Sequence, residues 1–302
     1  MPANFPEVWL DRVITNLDNS DQATFLQGIP ELAVDVSQIN EGMPSEKNKI
    51  YVPTTEFEVD VLINNNTYPI PIQQYNDDTI EMTLDKYQTK QTPISDDQTI
   101  GASYAIIDVV TKSHVRSMLV DKIKRAIHSI APLKDTVATP IIEVTGGSAG
   151  LTDANGRKRL TYEDLVEAKK RCKGFDTPRI VLSPEHYADL ALDRKNFGNQ
   201  LVNYSKGQPN PMIAGFEIHT YNGDMPVYDA SNTKKPYGAV ASSSDKIASV
   251  IFEKEAIAKK TGLTKQYFKP AKEDTATQSN WLNYRHYFIV MPFQNKKIAA
   301  IL

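Results

Sequence analysis

The chain has 302 residues, 40% hydrophobic and 24% charged, a balance that belongs to a folded chain and excludes collagen-like, fully disordered and membrane-spanning classes. Its formal net charge of −3 conceals a division: residues 1–100 carry 5 Lys/Arg against 17 Asp/Glu, net −12, and residues 101–302 carry 29 against 20, net +9. The single cysteine, Cys172, excludes an internal disulfide and every zinc site that needs two thiolates.

Residues 6–18 place Trp9, Val13 and Leu17 at successive i+4 spacings, which predicts a short amphipathic helix. The N-terminal stretch lacks the basic start and apolar run of a secretory signal, so a cytoplasmic origin is expected. The acidic stretch that follows to about residue 48, broken by Gly28, Pro30, Gly42 and Pro44, reads as an extended arm with little core of its own.

From Ile50 the period becomes two. Phe57, Val59, Val61 and Ile63 alternate with Glu56, Glu58, Asp60 and Leu62, Asn64-Asn65-Asn66-Thr67 supplies a turn, and Tyr68-Pro69-Ile70-Pro71-Ile72 returns. Pro69 and Pro71 delete donors along one edge only, so the edge through Tyr68, Ile70 and Ile72 still pairs. A two-stranded ribbon is marginal on its own in water. Ribbon and arm therefore point to support from another subunit.

Residues 103–131 form the longest helical pattern, with Leu119, Ile123, Ile127 and Ile130 on one stripe and Pro132 ending it. At 1.5 Å per residue such a helix spans about 40 Å and reads as a spine. Residues 137–245 read as a compact α/β unit. Thr161 and Asp164 open a helix carrying Leu165, Ala168 and Cys172, and Gly174 closes it. Arg179–Leu182 is a short buried strand, followed by Ser183-Pro184-Glu185 as N-cap, first-turn proline and acid. Gly215–His219 and Pro226–Tyr228 are further strands around the Asn222-Gly223-Asp224 turn. Strands are then expected at Ile247–Phe252, Tyr284–Phe293 and Ile298–Leu302, with a polar segment rich in Lys, Thr and Gln between the first two.

The candidate chemistry is sparse. Gly146-Gly147-Ser148-Ala149-Gly150 matches the G-x-S-x-G nucleophile elbow, but Leu151–Gly156 continues as turn rather than helix, and nothing fixes the geometry of His186 and His219, which lie downstream as candidate bases; a glycine loop is the expectation. Asp153-Ala154-Asn155-Gly156 resembles part of a calcium loop, yet the first and twelfth positions fall on Leu151 and Tyr162, so a turn is expected. The five histidines show no metal-ligand spacing, and no phosphate-binding glycine motif occurs. The basic clusters Arg157–Arg159 and Lys169–Arg171 lack interleaved aromatics and read as a solvated helix face or a contact for an acidic protein.

Four stretches carry a resemblance: Leu84–Lys90 through Ser103-Tyr104 into the long helix, Arg179–Tyr187, Gly215–Ile218 and Tyr284–Val290. In this order of acidic arm, hairpin, spine helix, α/β unit and returning strands, the chain resembles the major capsid proteins of tailed bacteriophages, the Hong Kong-type phage capsid fold shared with encapsulins. The likeness covers most of the chain. It implies an α+β fold divided into an N-terminal arm at 1–45, an extended β-hairpin loop at 46–84, a peripheral domain at 85–135 and 246–302 that carries the spine helix, and an α/β axial domain at 136–245.

The resemblance further implies a structural protein with no catalytic residue, cofactor or metal. Copies would assemble as hexamers and pentamers into an icosahedral head shell around double-stranded DNA, held without sequence specificity and without a membrane. Scaffold, portal and decoration proteins are further candidate partners, the virion is the implied location, and assembly in the host bacterial cytoplasm is implied. The extended loop of this family lies over a neighbouring subunit, so the residues expected at inter-subunit contacts are Trp9, Glu56, Glu58, Asp60, Tyr68, Ile70 and Ile72. Some members crosslink a loop lysine to a neighbour's asparagine; no lysine lies between Lys49 and Lys86, so that chemistry is not expected at this loop. Residues 1–45 contain no long helical pro-segment, and a separate scaffold or none is expected. The alternatives are an encapsulin-like compartment with enzyme cargo, a serine hydrolase using Ser148, and a DNA-binding protein.

Overall fold

A computed structural model describes residues 13, 23–33, 49–56, 66, 68–70, 76–95, 105–193, 202–203, 208–209, 212–293 and 295–302. β1 (Lys49–Glu56) and β2 (Asn76–Thr83) form a hairpin, followed by β3 (Asp85–Gln88), β4 (Thr92–Ser95), α1 (Ala105–Ile130), β5 (Ile141–Ile142), α2 (Tyr162–Arg171), β6 (Pro178–Leu182) and α3 (Pro184–Leu192). Short strands β7 (Val202–Asn203), β8 (Gln208–Pro209) and β9 (Met212–Ile213) lead to β10 (Phe216–Thr220), β11 (Val227–Tyr228), β12 (Lys246–Ile247) and β13 (Ser249–Glu253). β14 (Ile257–Lys269), β15 (Ser279–Pro292) and β16 (Ile298–Ile301) complete an α+β chain, as the sequence predicts.

A six-stranded mixed sheet in the order β5-β16-β13-β6-β10-β9 forms one layer. Its central strands β16, β13 and β6 are buried on both faces, which explains their apolar runs. Ile180, Leu182, Ile251, Ala299 and Ile301 face α2 and α3 through Leu165, Ala168 and Leu190. Val181, Val250, Phe252 and Ile298 face the other way, onto Ile123, Ile127 and Ile130 of α1. β13 and β16 come from residues 246–302 and β6 and β10 from residues 136–245, so these two segments share one sheet.

The second layer is the long antiparallel pair β14–β15, with β3 and β4 in tandem along the outer edge of β15. Its inner face packs along α1: Leu282 and Tyr284 meet Val115 and Met118, and Phe288 and Val290 join the cluster around Ile127. The expected polar segment after residue 253 is thus a strand. β14 alternates half-buried Thr264, Gln266 and Phe268 with exposed Leu263, Lys265 and Tyr267, and alternation rather than apolar content makes it a strand. Its register shifts at Gly262, where a Cβ would stand 2.8 Å from Cβ of Tyr287, so glycine lets the strands close there.

The arm departs from expectation in one part. Residues 23–33 belong to the body: Thr24–Leu26 is a single 3-10 turn whose Phe25 is fully buried, edge-on to Tyr221 at 6.2 Å. Arg179 Nη1 donates to the Phe25 and Gln27 carbonyls, and Leu32 N–H donates to the Lys259 carbonyl at 2.9 Å. Val13, the described residue of the expected N-terminal helix, is helical and buried against Val115 and Met118, while the rest of that helix lies outside the described residues.

Local signals set the two short helices. Thr161 and Asp164 form a reciprocal capping box on α2, and Ser183 accepts from the His186 N–H as the N-cap of α3 with Pro184 in the first turn. The same turn buries His186, whose Nδ1 lies 2.7 Å from Ser249 Oγ. Burial pushes its imidazole from 6.5 down to about 4, and the Arg157 guanidinium adds to the shift.

Two predictions follow from this packing. Phe25→Ala is expected to cost about 3–5 kcal/mol in chemical unfolding of the unassembled chain, and a loss below 1 kcal/mol would show residues 23–33 to be dispensable to the body. Because the folded state holds His186 neutral, its contribution is complete above the unfolded value of 6.5 and is lost as pH falls toward 4. His186→Asn is expected to flatten the stability decline across that window by on the order of 3 kcal/mol, read from urea melts at several pH values.

Candidate assembly surface

Among the described residues, the hairpin is anchored at its root. Ile50 and Met82 are buried with Leu84, Ala258 and Tyr287, and partly buried Leu32, Ile289 and Met291 close around them. The register runs from Lys49 opposite Thr83 to Glu56 opposite Asn76, which centres the pairing on residue 66, within the Asn64–Thr67 turn that the sequence predicts. Paired strands lie nearer the body than expected, at 49–56 and 76–83; the return strand predicted at Tyr68–Ile72 is not a strand over Tyr68–Ile70, which are bend and coil, and its last two residues and the strand predicted at 57–63 lie outside the described residues.

The seven residues expected at contacts separate accordingly. Trp9, Glu58, Asp60 and Ile72 lie outside the described residues. Glu56 ends β1 opposite Asn76. Tyr68 and Ile70 are 76% and 57% exposed, so two large apolar side chains near the hairpin tip meet solvent in the isolated chain.

A second surface has no counterpart in the sequence reading. The face of the β14–β15–β3 sheet turned away from α1 is half covered by the hairpin root, which seals Tyr287, Ile289 and Met291. The remaining half presents Lys265 directly opposite Arg285 and Lys269 opposite Trp281, with Gln88 across from Arg285 on the far side and Lys86 across from Tyr287. Arg285 lies over the Tyr267 ring at 5.1 Å. Asp85 points to the other face, where Arg125 of α1 holds it at 3.0 Å. Basic residues with interleaved aromatics are thus present, but on three strands far apart in sequence, where a scan along the chain does not join them.

Between α1 and the β3–β4 segment lies a groove of about 800 Å³, bordered by Val109, Ser113, His114, Met118 and Tyr87. His114 Nε2 meets Thr92 Oγ1 at 3.1 Å across its floor, and burial lowers the His114 pKa.

The chemical motifs are used internally. Ser148 Oγ donates to Glu163 at 2.9 Å, and Glu163 also accepts the Ser148 N–H, so a helix carboxylate fills the glycine loop. Gly146 and Gly147 adopt the left-handed backbone that turns this loop. His186 is committed to Ser249, and His219 Nδ1 lies 2.9 Å from Thr24 Oγ1. Neither histidine is therefore held on Ser148, and the serine that His186 does meet, Ser249, is fully buried within the body. Asp153 accepts from the Asn155 and Arg157 N–H groups at 2.8 and 2.9 Å, the turn that the sequence predicts. Arg157 forks onto Asp189, Arg171 donates to the Ile141 carbonyl, and Lys169 donates to the Phe175 carbonyl, so much of the two basic clusters is spent inside the body. Among the described residues no cluster of His, Cys, Asp and Glu is placed to hold a metal ion, and no helix is long and apolar enough to cross a membrane.

No protein-family model and no curated protein matches this sequence. Solved structures do. The capsid of cyanophage P-SCSP1u aligns over 86% of this chain and 84% of its own at 15% identity and a TM-score of 0.59. The mature capsid of bacteriophage PhiM1 aligns over 92% and 86% at 12% identity, also at 0.59. The virus-like particle from Pyrococcus furiosus aligns over 99% and 100% at 10% identity and 0.55. The chain has the fold of phage capsid proteins.

Proposed function

We propose that the chain is the major capsid protein of a tailed bacteriophage, a structural subunit whose copies close into an icosahedral head shell around double-stranded DNA. The observation that carries this reading is the capsid fold over 86% and 92% of the chain in two phage capsids, together with a hairpin whose described residues pack at its root. In this reading residues 1–45 are an arm, 46–84 an extended loop, 85–135 with 246–302 a peripheral domain, and 136–245 an axial domain at the axes of hexamers and pentamers. Trp9, Tyr68, Ile70 and Ile72 supply apolar contacts between copies, and Glu56, Glu58 and Asp60 supply charge that guides docking and register. DNA is enclosed without sequence readout, and scaffold, portal and decoration proteins complete a head assembled in the host cytoplasm. The protein's own work is interfacial, with no catalytic step.

A second reading, an encapsulin-like compartment, is favoured by the likeness to the Pyrococcus furiosus virus-like particle over the full length of both chains. The contents of purified particles separate the two: packaged DNA supports a phage head, and a protein cargo supports a compartment.

Electron microscopy of the overexpressed chain is expected to show uniform closed shells, and soluble monomer alone at assembly concentrations would refute the reading. Replacing Glu56, Glu58 and Asp60 together by lysine is expected to reduce shell yield by about tenfold or more while the unassembled chain keeps its circular dichroism and melting behaviour.

A further inference from the structure

We infer that the five histidines of the chain act together as acid-sensitive pins between its elements, so that mild acid loosens the body at its packed junctions. The device belongs to the single subunit and holds whether or not copies close into a shell.

Each imidazole crosses from one element to another through a hydrogen bond. His114 of α1 lies 3.1 Å from Thr92 of β4, and His128, in the last turn of α1, donates through Nε2 to the Lys235 carbonyl at 2.9 Å. His186 ties α3 to Ser249 of β13 at 2.7 Å, and His219 ties β10 to Thr24 of the 3-10 turn at 2.9 Å. His286 of β15 reaches Thr264 of β14, also at 2.9 Å. The sequence holds five histidines, and all five are placed in this way.

The surroundings of each ring oppose a second proton. His286 is 1% exposed, stacks on Phe288 at 6.3 Å, and its Nε2 has no hydrogen-bond partner among the described residues. The Lys122 ammonium lies over the same Phe288 ring at 4.1 Å, and Tyr87 stands 6.5 Å away. Protonation there creates a buried N–H without an acceptor and sets cation beside cation. His128 faces Arg125 and Lys234, whose Nζ donates to the His128 carbonyl, and meets Tyr237 edge-on at 5.6 Å. His186 faces Arg157, partly offset by Asp189 and Asp164, and His114 meets Tyr284 edge-on at 5.6 Å. His219 has a carboxylate at 3.4 Å, Glu217, which the Arg179 guanidinium opposes. Burial is the largest cause in every case, and it holds all five below the usual 6.5, with His186 at about 4 and His286 at about 3.

Folding therefore excludes protons that the unfolded chain accepts near pH 6.5. The stability tied to each neutral ring is complete above that value and is lost as pH falls toward the folded one. The body's tightest carboxylates titrate later. Lys235 holds Asp245 at about 2, and the Thr277 hydroxyl and Trp281 indole hold Asp274 at about 2. Between about pH 6.5 and 5, above the ordinary carboxylate range, the linkage belongs to histidine. One ring held neutral throughout multiplies the unfolding constant by about 30 between pH 7.5 and 5, and two such rings by about a thousand.

Urea melts of the full unassembled chain at about pH 7.5 and 5, read as unfolding constants, test this. The unaltered chain is expected to show a rise of about a thousandfold or more. Asparagine places a polar group where Nδ1 stands, and glutamine where Nε2 stands, so His286→Asn and His114→Gln keep a neutral bond and remove the titration. His286→Asn is expected to reduce the rise by about 30-fold, and His114→Gln to reduce it by a smaller factor. A rise below about tenfold in the unaltered chain would overturn the inference, as would an undiminished rise in both variants. If a variant does not fold, proton resonances of the imidazoles in the unaltered chain decide: all five are expected to titrate below 6.5, and His186 or His286 titrating at 6.5 or above refutes the device. Hydrogen exchange at the two pH values tests the collective action. Acid is expected to speed exchange on both sides of all five junctions, and an effect confined to one element would reduce the device to a single site and overturn it.

Discussion

Burial of the Ile123, Ile127 and Ile130 stripe of α1 is the contact on which the rest of the structure depends. These side chains are at most 2% exposed and touch both sheets at once, with Val181, Val250 and Phe252 on one side and Phe288 and Val290 on the other. Each such burial stabilises by roughly 1.5–3 kcal/mol. Neither neighbour stands without it. The β14–β15 pair has only the short strands β3 and β4 beside it, and so small a sheet needs a helix on one face to persist. The helix in turn carries charge along much of its length and gains its stability from packing rather than from propensity. Phe25, Leu26 and Ile29 enter the same cluster, so the acidic front of the chain is pinned to the body where helix and sheets meet.

The parts legible in the sequence are those in which one short-range rule decides the outcome. The 26-residue spine lies one or two residues inside its expected bounds because its apolar stripe repeats at helical spacing up to Pro132. The caps at Thr161 and Ser183 are local hydrogen bonds, written within four residues of sequence. The strands at 179–182 and 298–301 are buried on both faces and read as continuous apolar runs. β14 escapes such a reading because it buries little. Its inner side chains, Thr264 and Gln266, cover only the margin of a sheet, and Thr264 is fixed by His286 at 2.9 Å rather than by apolar contact. Residues 23–33 escape it for another reason. Glycine and proline mark them as loop, which they are, while their anchoring comes from Arg179 and Lys259, more than a hundred residues away.

The glycine loop illustrates how little a motif fixes without its surroundings. Its serine is present and its backbone turns sharply, as a nucleophile elbow requires, yet the group within reach is the Glu163 carboxylate. Asp164 satisfies the Thr145 and Thr161 hydroxyls, and Asp189 holds both Arg157 and the Leu160 N–H. The polar groups of this region are spent in pairs that fix the entry to α2 and tie it to α3. Buried polar groups satisfied in this way specify one arrangement of helices over a sheet, a structural use of the residue types that catalysis also employs.

The charge of the chain is distributed against the same background. Carboxylates and cations in the body close on one another wherever elements meet, as Arg125 does with Asp85, Arg179 with Glu217 and Lys235 with Asp245. Such pairs neutralise the body locally, so a surplus of positive charge survives only on surfaces where no acidic element packs. The outer sheet face, with Lys265 opposite Arg285, is cationic, and acidic residues are concentrated in residues 49–83 of the sequence. A formal net charge of −3 therefore averages over a front of −12 and a remainder of +9, a division that ion pairs within the body leave standing.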